Sequence, residues 1–296
     1  MEKKWRYQFN LNLSVNTPKI INMTINIKTK NPKLINLNDS ISLKGKTALI
    51  SGAASGIGKS ISYRFAEAGA DLILIDIDEK GLLCTLEYLK EFKSNIRIYE
   101  IDLASKEKID DYWEKSGFCL PDILVNNAGI YPFKDYLKVD EMFYAKTLEV
   151  NLHSVFWMCQ NFIRKRKKLG GVIVNISSIE ALIPFKEDLA HYSISKSGVI
   201  ALTRSLARDY GRKGFRVNGI LPGAIKTPGT DSLVKTAITK LQLNLIKTKI
   251  DFESRLTLGR WGAPDEVAKV VLFLSSNMAS YVQGAMIPVD GGFLSA

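Results

Sequence analysis

Residues 46–58 read Lys46-Thr47-Ala48-Leu49-Ile50-Ser51-Gly52-Ala53-Ala54-Ser55-Gly56-Ile57-Gly58. Lys46 to Ile50 has the make-up of a buried strand. The glycine turn after it leads into a helix predicted over Lys59 to Gly69. Leu72 to Ile75 is a second apolar strand, closed by Asp76. Strand, glycine turn, helix, strand and acid make a dinucleotide-binding βαβ unit, here with the spacing G-x-x-x-G-x-G. Gly52, Gly56 and Gly58 let the backbone turn tightly and let a pyrophosphate reach the free N–H groups of the helix N-terminus. Asp76 lies 18 residues past Gly58, where its carboxylate can accept from the adenosine ribose hydroxyls. The same charge repels a 2′-phosphate. No Arg or Lys stands between Ser51 and Gly58 or directly after Asp76 to offset it. The predicted cofactor is therefore NAD rather than NADP.

Working outward, strands and helices keep alternating. Helices are predicted over Asp78–Phe92, Lys106–Lys115, Val139–Lys168, Ala190–Tyr210 and Glu266–Ser275. Strands are predicted over Ile96–Ile101, Asp122–Val125, Val172–Ile176, Arg216–Ile220 and Ala285–Val289. This is an α/β fold, a single doubly wound parallel sheet of about seven strands with helices on both faces. Ligands of such sheets bind beyond the carboxyl ends of the strands. Asp102-Leu103 and Asn126-Asn127-Ala128-Gly129 fall at such ends. A loosely patterned segment near 228–258, flanked by Pro228-Gly229 and Gly259, suits a substrate lid.

The 296 residues divide into an N-terminal extension, 1–42, and a catalytic domain, 43–296. The extension has no glycine, no alanine and eight asparagines, and is expected to be flexible apart from a short strand weighed at Ile20–Lys28. Of the net charge of +11, the extension carries +5. A second basic run, Arg164 to Lys168, precedes Gly170-Gly171 and reads as a helix C-terminus, where cations complement the dipole. This run has no interleaved aromatics, and no nucleic-acid partner is expected. No apolar run spans a bilayer and no secretory signal is visible, which predicts a cytoplasmic protein without a membrane partner. Cys84, Cys119 and Cys159 are few and scattered, as for buried thiols in a reduced compartment. With only His153 and His191, no metal site is expected.

The chemistry rests on His191-Tyr192-Ser193-Ile194-Ser195-Lys196. A tyrosine and a lysine four apart share one helix face, and a nearby ammonium favours phenolate over phenol. Tyr192 then qualifies as a proton shuttle. The glycine turn, Asn-Asn-Ala-Gly, the mid-helix Asn151, a serine ahead of Tyr-x-x-x-Lys, and Pro222-Gly223 with Thr227 after it occur here in one order. Together they resemble the short-chain dehydrogenase/reductase family over roughly residues 43–296. Ser51 stands where that family usually has Thr. The resemblance implies that Tyr192 is the general acid/base and that Ser178, 14 residues before it, holds the substrate oxygen. It implies that Lys196 binds the nicotinamide ribose and lowers the tyrosine pKa, and that Asn151 positions a relay water. It places Gly52, Ser55, Ile57, Asp102, Leu103, Asn126, Ile225 and Thr227 against the cofactor. It also implies a homotetramer built on the two helices around Asn151 and Tyr192 and on the last strand.

The expected activity is NAD-dependent interconversion of a secondary alcohol, or a sugar or polyol hydroxyl, with a ketone or lactone. Tyr131, Phe133, Glu180, Phe185, His191 and Ala224 are expected to face the substrate. Glu180 and His191 suit a polyhydroxylated ligand, and Ser-Ser-x-x-x-x-Ile-Pro before His-Tyr is similar to bacterial glucose dehydrogenases of the family. The three aromatic residues suit an apolar ketone instead. Reduction of a 3-oxoacyl thioester is a further alternative, set back by Asp76. A non-catalytic nucleotide-binding scaffold would keep the βαβ unit, but has no need of Asn151, Ser178, Tyr192 and Lys196 together.

Overall fold

A computed structural model describes residues 34–115, 120–230 and 254–296. Most of the expected extension, its weighed strand, Cys119 and most of the expected lid lie outside these residues. The main compact unit runs from Asn36 to Ala296 and so begins ahead of Leu43. Its first element is a short helix, α1 (Leu37–Ile41), capped by the Asn36 side chain, which accepts from Asp39 N.

Seven strands follow: β1 (Thr47–Ser51), β2 (Asp71–Asp76), β3 (Ile96–Glu100), β4 (Ile123–Asn126), β5 (Gly171–Ile176), β6 (Phe215–Pro222) and β7 (Met286–Val289). They form one sheet in the order β3-β2-β1-β4-β5-β6-β7, with every pairing parallel. The helices between them are α2 (Gly56–Glu67), α3 (Glu79–Tyr88), α4 (Lys106–Lys115), α5 (Glu141–Leu148), α6 (Ser154–Lys165), α7 (Ala190–Tyr210) and α8 (Pro264–Ser275). Side chains alternate across each strand. Ala48, Ile50, Leu72 and Leu74 therefore pack in one core with Phe65 of α2 and Val271 of α8. Leu49, Ile73 and Ile75 pack in the other with Ile109, Phe162 and Val199.

The chain steps from β1 outward to β3, then returns to β4 on the other side of β1. That reversal opens a crevice between the carboxyl ends of β1 and β4, the usual ligand position in such sheets. Two helix boundaries differ from expectation in ways that bear on it. Helix α2 starts at Gly56, not Lys59, so the glycine turn is itself the helix N-terminus. The run expected as one helix over Val139–Lys168 is broken by a π turn at Glu149–His153. A π turn holds one residue more than a regular helix needs and is frequent at functional sites. Asn151 sits in it, fully buried.

The basic run behaves as a helix end. Arg166 caps α6, is buried, and donates to Gly170 O (2.6 Å) and to Asp122 Oδ1 (3.0 Å). Cys159 is buried as expected, but Cys84 is exposed on α3. No described helix is long and apolar enough to cross a membrane, and no metal-ligating cluster occurs among the described residues.

Candidate active site

The glycine turn lies in the β1–β4 crevice and is tied there by side chains. Ser51 Oγ accepts from Asn127 N (3.0 Å) and Ala128 N (3.1 Å), and Asn127 Nδ2 donates to the carbonyls of Ser51 and Gly52 (both 3.0 Å). Gly52 has φ +67°, and a Cβ there would meet Ala128 at 2.8 Å. A Cβ on Gly58 would lie 2.0 Å from Gly52 O. Gly56 has φ +54°, with the Thr227 methyl 3.3 Å from where its Cβ would stand. The backbone is therefore bare where a diphosphate must come close, and Thr227, distant in sequence, forms the facing wall. This cradle fits a dinucleotide.

Asp76 Oδ2 accepts from Ala54 N (2.9 Å) in the turn, and its Oδ1 from Asp78 N (3.1 Å). The carboxylate thus borders the same crevice as Ser55 and Ile57. Asp102 and Leu103 follow β3, with Asp102 Oδ1 accepting from Ala104 N (3.0 Å) and Leu103 buried. Ile225 is buried beside Thr227, its carbonyl accepting from Thr230 Oγ1 (3.0 Å). Asn126 turns its amide away from the crevice, donating to Asn175 Oδ1 (2.8 Å) and Cys159 Sγ (3.2 Å) in the core. Its backbone alone remains for the cofactor. Asn127, quoted in the motif but given no role by sequence reasoning, is the asparagine that orders the turn.

The four proposed catalytic side chains converge. Tyr192 and Lys196, one turn apart on α7, are both buried, with Lys196 Nζ 5.9 Å from the tyrosine ring centroid. Lys196 Nζ donates to Ile176 O (3.1 Å) at the end of β5. Ser178 follows that strand end, near enough to Tyr192 to act on its phenol, and its Oγ accepts from Glu180 N (3.1 Å). Ser177 Oγ instead donates to Lys196 O (2.8 Å), a structural use. Asn151 Oδ1 accepts from Ile130 N (2.8 Å), and its Nδ2 donates to Ile130 O (2.9 Å) and Ser195 Oγ (3.3 Å). A Cβ on Gly129 would stand 3.2 Å from Asn151 Oδ1 and 3.3 Å from Lys196 Nζ, so this glycine lets both side chains close over β4. Gly129 is a second position that sequence reasoning left without a role.

The electrostatics differ from expectation in one respect. Burial pushes the Tyr192 phenol up to about 12; the Ser178 hydrogen bond opposes this, and the Glu180 charge adds to it. Burial also brings Lys196 down to about 8. The chain's own groups therefore hold Tyr192 as a phenol at neutral pH. Lys196 alone does not make it acidic, because desolvation of the phenolate outweighs an ammonium that is itself desolvated.

The residues expected to face substrate divide. Tyr131 stands edge-on to Tyr192 at 4.6 Å and to Phe133 at 4.9 Å. Glu180 is almost fully buried, and burial lifts its carboxyl to about 7 against hydrogen bonds from Phe185 N, Lys186 N and Ser193 Oγ. Phe185 packs on Phe293, and Ala224 lies in the same small cluster. His191 does not join them. Its Nε2 hydrogen-bonds Pro132 O (2.9 Å) and its ring meets Phe143 edge-on, so it anchors the 130–133 loop to α7. Its place beside Tyr192 in sequence turns it about 100° around the helix.

Crevice, cradle and tyrosine–lysine–serine–asparagine cluster define a nicotinamide-dependent oxidoreductase. The comparisons agree. Residues 52–294 match the family model described as enoyl-(acyl carrier protein) reductase. The 3-oxoacyl-(acyl carrier protein) reductase FabG of Thermotoga maritima is 35% identical over 255 residues, 85% of this chain and 99% of that protein. L-rhamnose 1-dehydrogenase (NAD(P)(+)) of Sphingomonas sp. is 36% identical over 256 residues, 84% of this chain and 96% of that one. A solved structure with bound NADP, from Agrobacterium tumefaciens and provisionally assigned as a 2-deoxy-D-gluconate 3-dehydrogenase, superposes with a TM-score of 0.78 at 32% identity, covering 87% of this chain and 100% of that one. The chain belongs to the short-chain dehydrogenase/reductase family.

Proposed function

We propose that this chain is an NAD-preferring dehydrogenase/reductase that interconverts a secondary alcohol and a ketone, with Tyr192 as general acid/base. The observation that carries the reading is the convergence of Tyr192, Ser178, Lys196 and Asn151 beside a glycine cradle. Bound nicotinamide supplies or accepts the hydride, and its oxidised ring adds positive charge near the site. Ser178 holds the reacting oxygen at Tyr192. Lys196, anchored at Ile176 O, holds the ribose, and Asn151 supports the proton path below it. With the phenol raised to about 12, donation of a proton to a ketone is the favoured step at neutral pH, and alcohol oxidation rises toward alkaline pH.

Glu180 tunes that rise. Its charge disfavours the Tyr192 phenolate, so Glu180→Gln moves the alkaline rise of kcat/KM for oxidation to lower pH. The stability sign follows from the same group. A carboxyl raised to about 7 binds its proton more tightly folded than unfolded, so wild-type stability falls as pH climbs from about 4.5 through 7. Glu180→Gln is then more stable than wild type at pH 8 but not at pH 4; equal melting differences at both would count against the buried carboxyl.

NAD preference rests on Asp76 at the crevice edge. Comparing kcat/KM with NAD and NADP tests it: Asp76→Ala narrows the ratio about tenfold or more, since one like-charge repulsion is removed. A wild-type preference for NADP overturns it. Among substrates, a sugar and a sugar acid are represented by relatives, and an apolar ketone is suited by the aromatic residues here. A coupled screen of sugars, secondary alcohols and diketones decides between them. A 3-oxoacyl thioester is the second reading, favoured by the likeness to the Thermotoga reductase. Turnover of that thioester alone, with NADPH, would establish it.

A homotetramer suits the groove of 470 Å³ lined by Phe156, Leu202, Leu206 and Tyr210 on α6 and α7, and a cytoplasmic setting suits the three scattered cysteines. Light scattering that gives a monomer at micromolar concentration removes the assembly.

A further inference from the structure

The loop from Leu182 to Leu189 joins the strand end bearing Ser178 to the helix bearing Tyr192, and it carries Lys186, an ammonium set among aromatic rings with no ion pair among the described residues. Lys186 Nζ lies 5.8, 5.6 and 5.9 Å from the ring centroids of Tyr131, Phe133 and Phe185. The residue is half-buried. Among the described residues it makes no ion pair, and its ammonium donates no hydrogen bond. Lys134, on the neighbouring loop, is by contrast paired with Asp140.

Glu180 is the carboxyl that bears on Lys186, but its oxygens are committed elsewhere. They accept from Phe185 N (3.5 Å), from Lys186 N and from Ser193 Oγ (3.4 Å). Glu180 therefore fixes the loop and does not take the ammonium. Aromatic faces attract a cation without using its three N–H donors in directed bonds. Burial meanwhile disfavours the charged form of Lys186. A desolvated ammonium with free donors is costly unless an anion completes it.

The cage is held together independently of any ligand. Tyr131 and Phe133 come from the loop after β4, and Phe185 from the loop before α7. Lys134 N donates to Asp188 O (3.1 Å) between them, with Asp188 in the left-handed region at φ 64°. His191 Nε2 hydrogen-bonds Pro132 O on the same side. Tyr131 also touches Tyr192 edge-on at 4.6 Å, so one ring separates the ammonium from the proton-transfer group.

We infer that Lys186 anchors a carboxylate on the substrate, so that the alcohol or ketone turned over at Tyr192 is an anionic hydroxy or oxo acid. This rests on the reading of the site as an alcohol–ketone oxidoreductase and names its substrate class. A neutral substrate would leave the caged ammonium unpaired. A carboxylate would complete it with charge-assisted hydrogen bonds and fix the distance from anion to reacting carbon.

The test is calorimetric binding to the NAD-saturated protein, using acetoacetate, levulinate and 5-oxohexanoate, each against its neutral amide. At least one carboxylate binds about ten- to a hundredfold tighter than its amide, as expected for a hydrogen bond to a charged group. Lys186→Met and Lys186→Gln abolish that preference while still binding dinucleotide, and Lys186→Arg retains most of it. The inference is overturned if no carboxylate outbinds its amide in the wild type, or if the preference survives in Lys186→Met. Lys186-dependent binding without reduction by NADH keeps the anchor and removes the activity reading for these ketones. Equal reduction of acid and amide keeps the activity and removes the anchor.

Discussion

Tyr192→Phe loses about 10²- to 10⁴-fold in kcat, the usual worth of a positioned proton-transfer group, while dinucleotide binding persists. The substitution removes one oxygen and keeps the ring that Tyr131 meets edge-on. Its effect therefore reads the proton transfer and not a packing defect. Steady-state kinetics give the loss, and NADH fluorescence titration gives the retained affinity. The size follows from the surroundings. Tyr192 is buried, so bulk water is poorly placed to replace the phenol as acid. Retained turnover would assign the proton transfer to another group.

Gly58→Ala is the second large effect, and it acts on the cradle. The added methyl would sit 2.0 Å from Gly52 O and 2.6 Å from Asn127 Nδ2. Neither neighbour has freedom to move. Gly52 is held in a left-handed turn, and Asn127 is bonded to both carbonyls of that turn. Overpacking of this kind costs about 1–3 kcal/mol of stability. The functional cost is larger, because relief of the clash must push the turn into the diphosphate space. Dinucleotide binding is expected to fall below detection in the fluorescence titration, while far-ultraviolet circular dichroism still reports a folded protein. Wild-type affinity in Gly58→Ala would show that the turn is not where the diphosphate lies.

The two predictions rest on parts of the chain that were unequally readable. All seven strands lie within two residues of their expected places; the inner ones are continuous hydrophobic segments, as a parallel sheet covered on both faces demands, while the edge strand β3 alternates. The doubly wound parallel sheet followed from the strand–helix alternation, whereas the strand order that puts the reversal between β1 and β4 came only with the structure. Tyr192 and Lys196 were legible because a spacing of four on a helix fixes a shared face. What was not legible depends on register or on contacts distant in sequence. Nothing in Val139–Lys168 marks the π turn, since an inserted residue leaves the apolar pattern nearly intact on either side. Asn126 and Asn127 are chemically identical, and only the strand's pleat decides which amide faces the core and which the glycine turn. His191 was misplaced for a similar reason: adjacency to Tyr192 along a helix is separation around it. The raised phenol of Tyr192 was also hidden, because its cause is burial, which a pair of residue types does not reveal. Lys186 looks like any loop lysine until three rings from two loops are brought around it.

The wide turn at Glu149–His153 makes this segment intolerant of changes in length. Excising one residue there would restore the regular helical repeat. It would also rotate α5 by about 100° relative to α6. Phe143 would then leave His191, and the Pro132 loop would lose its footing. A single-codon deletion in this turn therefore silences the enzyme as completely as losing the phenol, because it displaces Asn151, α5 and the Pro132 loop together.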